Sequence, residues 1–125
     1  MKRLIAGLML ALSLSACGEG EVVEMARYPS PVGGIDAVVG RMKAGETEPF
    51  LVVITKPGEN PTKGARLLLA DNTTAPVVEW ADAEHMTIRC DNARIWSFRN
   101  FWTTPNFKRV TVSVALECGQ KGWAP

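Results

Sequence analysis

From Pro31 onward this 125-residue chain is cut into short apolar and β-branched runs by clusters of Gly, Pro, Asn and Asp, a pattern that favours strands over helices. Runs at 35–42, 49–55, 65–70, 77–80, 86–90, 94–101 and 107–117 read as strands. The 49–55 run is apolar or β-branched almost throughout, as a central strand buried on both faces should be. Between the runs, Asp71-Asn72-Thr73-Thr74, Asp82-Ala83-Glu84 and Asp91-Asn92 read as turns, and 56–64, with two prolines and two glycines, reads as a loop. Ser30-Pro31-Val32-Gly33-Gly34 forms the turn that opens the series. Only 67–70 and 76–83 compete as helices, and both are too short to stand alone. The predicted fold is all-β: one small antiparallel sheet domain over 32–118, built as a sandwich or a curled meander, with a frayed tail at 119–125.

Composition supports a packed core. Hydrophobic residues make up 46% of the chain and charged residues 22%, far from the balance that keeps chains disordered. The 14 basic and 13 acidic residues nearly cancel, so no strongly charged partner is implied.

The N-terminus has a separate logic. Lys2 and Arg3 precede an apolar stretch from Leu4 to Leu14. As a helix this stretch spans roughly 17 Å, well short of a hydrocarbon core of about 30 Å. A basic start, a short apolar centre and small residues before Cys17 together read as a secretory signal over 1–16. Leu14-Ser15-Ala16-Cys17 resembles the lipobox of bacterial lipoproteins. That resemblance implies that the Cys17 thiol receives a diacylglyceryl group, that the signal is removed before it, and that the new amine takes a further palmitate-type chain. Two chains are enough for stable membrane attachment. Gly18 rather than an aspartate follows, which resembles the outer-membrane sorting pattern and implies a location at the envelope, facing the periplasm. Residues 17–31, rich in Gly, Glu and Pro, read as a lipidated tether, with an early strand or helical turn open at 22–26.

With Cys17 assigned to lipid, Cys90 and Cys118 remain, in a compartment where disulfides persist. Alternation places Cys90 on the face of Met86 and Ile88, and Cys118 on the face of Val112, Val114 and Leu116. Both sulfurs then point inward. An antiparallel return around Thr104 would bring them within bridging distance; the alternative is two buried free thiols.

The densest aromatic segment is Arg94-Ile95-Trp96-Ser97-Phe98-Arg99-Asn100-Phe101-Trp102. Strict alternation puts Trp96 and Phe98 on the core face; the candidate partner surface is the group of Arg99, Phe101 and Trp102, since exposed Trp and Arg are the expected anchors of an interface. Interleaved rings and cations also suit nucleic-acid stacking, but the implied compartment removes nucleic acid as a partner. With Ser30 to Val39, this segment is similar to a group of small, uncharacterised bacterial envelope domains over most of 30–117, a likeness that implies a location and no activity.

Chemistry-bearing residues are sparse. His85, the only histidine, lies near Asp82 and Glu84 and shares a face with Thr87 and Arg89, opposite the core residues of its strand. That is the pattern of a solvated histidine. Asp36, Glu48, Glu79, Asp82, Glu84 and Asp91 supply carboxylates without a spacing that pairs them. No zinc-ligand spacing, nucleophile elbow or phosphate loop occurs, so no metal or cofactor is expected. The expectation is a membrane-anchored, non-enzymatic binding module that contacts another envelope protein. The alternative is an inhibitor or binder of a periplasmic hydrolase or ligand, by analogy with small β-rich lipoproteins that inhibit lysozyme, although their Ser-Gly-x-x-Tyr signature is missing here.

Overall fold

A computed structural model describes residues 21–43, 48–104 and 110–119, so Cys17, the signal segment and residues 120–125 of the tail lie outside the described residues. Among the described residues nine strands follow in order: β1 (Val22–Pro29), β2 (Asp36–Met42), β3 (Phe50–Thr55), β4 (Ala65–Asp71), β5 (Val77–Asp82), β6 (His85–Cys90), β7 (Arg94–Phe98), β8 (Phe101–Thr103) and β9 (Thr111–Cys118). They form a five-stranded sheet in the order β1-β2-β3-β4-β7 and a four-stranded sheet in the order β5-β6-β9-β8. The all-β reading holds, in its sandwich form.

Pattern and burial agree where strands are central. In β3, Leu51 to Thr55 are all buried, because β2 and β4 flank it and both of its faces are covered. Val52 and Ile54 look inward with Ala37, Val39, Leu67, Leu68 and Ala70, and meet Val78, Met86, Ile88, Val112 and Val114 of the smaller sheet. Each of the Val, Leu, Ile and Met side chains among them contributes about 1.5–3 kcal/mol relative to exposure. On the opposite face of β2 and β3, Val38, Leu51 and Val53 form a second, smaller cluster with Val22, Met42 and Leu69 packed against it. The Trp80 indole N–H donates to the Tyr28 carbonyl at 2.9 Å, fastening β5 to β1 across the sandwich.

Four expectations are corrected. The first concerns the tether: of the two alternatives left open at 22–26 the strand forms, and as β1 it extends to Pro29 and pairs along its length with β2. Its charges do not prevent this, because Arg27 is neutralised by Glu24 and Asp36. The second concerns 94–101, which is not one strand. The chain leaves the larger sheet after Phe98 and enters the smaller one at Phe101, with Arg99 and Asn100 between.

The third is the phase of the aromatics. Ser97 pairs with Leu69 and Ile95 with Ala70, so Trp96 is an extra residue in a β-bulge. The bulge reverses the alternation. Ile95 and Phe98 pack against the core, while Trp96 is 59% exposed. The fourth is the route to the cysteines. They do not meet across an antiparallel return; β6 and β9 run parallel and in register, with Cys90 opposite Cys118. The two are joined by a disulfide, with Cα atoms 4.4 Å apart.

Candidate functional site

Two exposed rings, Trp96 and Phe101, stand on edge strands of the sandwich. β7 and β8 are the last strands of their sheets, joined by the short crossing at Arg99-Asn100. On β7, the Arg94 guanidinium lies 5.0 Å from the centre of the Trp96 ring. The same guanidinium donates to both Asp71 carboxylate oxygens, at 2.9 and 3.1 Å. Arg94 first, and the Trp96 indole after it, hold the Asp71 carboxyl below its ordinary range against the opposing effect of burial. Trp96 is therefore exposed yet fixed in place. Past the crossing, Arg99 covers the Phe101 ring at 5.4 Å, and Phe101 is 46% exposed. Both distances lie within cation–π range. Of the three residues expected to make a partner surface, Arg99 and Phe101 are on the outside, whereas Trp102 is half-buried and packed against the core. Trp96 takes its place, a substitution that only the bulge explains.

Beside this edge lies a cleft of about 530 Å³ where the sheets part. Its walls come from Ile35 after the first turn, Ile54 and Thr55 at the end of β3, Ala65 at the start of β4, and Trp102 to Thr104. Lys56, Glu59 and Lys63 of the β3–β4 loop complete the wall.

That loop is held firmly, although its composition reads as an ordinary surface loop. Asn60 caps a 3-10 turn at Pro61–Lys63 by accepting the Thr62 N–H at 2.8 Å, and Pro61 is buried. Arg27 reaches over from β1 and donates to the Glu59 carbonyl at 2.7 Å. It also donates to Asp36 at 2.7 Å and to Glu24 at 2.8 Å. Asp36 is buried and accepts a further long bond from the Gly58 N–H. Hydrogen bonds donated to Glu24 and then to Asp36 raise the Arg27 pKa, and Arg27 lowers that of Glu24. One guanidinium thus pins the apex of the loop to the sheet. Gly64 lets the loop rejoin β4 closely, since a Cβ there would sit 2.9 Å from the Ile54 carbonyl oxygen.

The residues with acid–base potential are dispersed. His85 Nδ1 lies 2.8 Å from Asp82 Oδ1, with both side chains well exposed at the β5–β6 turn. The His85 contact first, and the Glu84 backbone N–H second, draw the Asp82 pKa down. Asp36 pairs with Arg27, Glu48 with Arg41 and Glu79 with Arg89, while Asp91 accepts from the Thr74 hydroxyl. Among the described residues no group of three His, Cys, Asp or Glu could hold a metal ion, and no helix is long and apolar enough to cross a membrane.

No protein-family model, curated protein or solved structure matches the chain.

Proposed function

We propose that the protein is a lipid-anchored envelope module that binds a protein partner through the β7–β8 edge and carries out no chemistry of its own. The observation that carries this reading is the pair of exposed rings, Trp96 and Phe101, each held under an arginine. Trp and Arg dominate the residues that fix affinity in protein interfaces, and a ring already immobilised loses little entropy on binding. Elsewhere on the outer face of the smaller sheet, Glu79, Arg89 and Glu117 form a charge ladder.

Anchoring follows from the lipobox resemblance, and the fold adds a dimension to it. β1 starts at Val22, five residues after Cys17. At 3.3–3.6 Å per residue, the start of β1 stands within about 18 Å of a lipidated Cys17. The sandwich would therefore sit close above the membrane, with the β1–β2 turn at its far end.

The test is photo-crosslinking from positions 96 and 101 in cells, with position 87 on the polar face as the control. A single shared adduct from 96 and 101, absent from 87 and lost when the other ring is changed to Ala, supports the reading. Equal labelling from all three positions overturns it. A captured hydrolase that the purified protein inhibits would select the alternative of an inhibitor.

A further inference from the structure

We infer that the cleft between the sheets binds a small amphiphilic carboxylate, with its apolar body between Ile35, Ile54 and Trp102 and its head group at Lys56 and Lys63. This goes beyond partner binding at the β7–β8 edge and uses different residues.

Size comes first. At about 530 Å³ the cleft falls within the range of small-molecule sites. Its interior surface is supplied by Ile35, Ile54, Ala65 and the indole of Trp102, so an apolar body gains by entering.

Charge decides the head group. Lys56 and Lys63 are exposed on the loop wall, and among the described residues no carboxylate lies within ion-pairing distance of either amine. Among the described residues Glu59 is the only acid on the cleft wall, and its carboxylate already accepts the Lys56 backbone N–H at 3.1 Å. An anion at the mouth thus meets two cations and one acid that is already engaged. The Arg27 pin through the Glu59 carbonyl keeps the two lysines on one wall before any ligand arrives. A neutral amphiphile would gain only from the apolar walls, and a cationic one would be repelled.

The experiment uses the full chain carrying Cys17→Ser, so that no attached acyl chain competes, and titrates it with octanoate, octanol and octylammonium. The readouts are the Trp102 indole resonance and the heat of binding. Octanoate should shift the Trp102 signal saturably and bind about tenfold more tightly than octanol, the value of one charge-assisted hydrogen bond. Lys56→Ala with Lys63→Ala should reduce octanoate to the level of octanol and leave octanol unchanged; replacing both with Arg should preserve the preference. Equal binding of the three probes, or a Trp102 signal that stays still at millimolar octanoate, overturns the inference. An unchanged melting temperature in the double-Ala variant separates lost binding from lost folding.

Discussion

Breaking the Cys90–Cys118 bond tests the topology at its parallel strand pair. After Cys90 the chain leaves the smaller sheet, forms β7 in the larger one, crosses back as β8 and returns as β9 beside β6. A parallel pair needs such a long excursion, and the disulfide closes it at the ends of both strands. The sequence separation is 28 residues, for which chain entropy gives about 3.5 kcal/mol of stabilisation. For a domain of this size that corresponds to roughly 15–25 °C in melting temperature. Urea unfolding of Cys90→Ala, Cys118→Ala and the double variant reads it directly. Because either substitution removes the whole bond, each single variant should lose nearly as much as the double. Small losses, each under about 1 kcal/mol and adding up in the double variant, would match two free thiols in half-buried positions. That outcome would refute the bond.

Other expected outcomes follow from single contacts. Arg27→Ala leaves the buried Asp36 without its cation and should cost about 3 kcal/mol, with protease cleavage appearing first within 56–64. Phe98→Ala should cost about 2 kcal/mol or more in denaturant unfolding, and Trp96→Ala less than about 1, the reverse of what unbroken alternation implies for Trp96. Gly64→Ala forces a Cβ against the Ile54 carbonyl and should destabilise by about 1–3 kcal/mol. The folded-state pKa of Asp71 lies below its unfolded value of about 3.9, so its contribution is present above that pH and is lost as pH falls through the lower folded value. Asp71→Asn should therefore lower stability at neutral pH and flatten its decline below about pH 4, as read by thermal unfolding across pH.

The strands were legible wherever one sheet face is buried without interruption. β3, β6 and β9 show their burial in the spacing of Val, Ile, Leu and Met, and the inward phase of both cysteines follows from the same alternation. What escaped the sequence depends on partners far along the chain. Trp96 reads as core until Leu69 and Ala70 are seen to pair with Ser97 and Ile95, because one inserted residue reverses the faces. β1 stays undecided between strand and helical turn within the tether because Glu24 and Arg27 look like solvated charges until Asp36 and the Glu59 carbonyl come within reach of the guanidinium. The cleft is invisible for the same reason: Ile35, Ile54, Lys63 and Trp102 converge only once two sheets pack. His85, by contrast, sits on the solvated face that its position relative to Met86 and Ile88 foretold.

The intact mass of the protein extracted from membranes bears most directly on the claim that an anchored, oxidised domain does the work. The expected species lacks residues 1–16, carries acyl mass on Cys17, and weighs two hydrogens less than its reduced form because Cys90 and Cys118 are bonded. A soluble chain that retains Met1, with an unmodified Cys17, would contradict the anchor and, with it, the placement of the domain at the envelope.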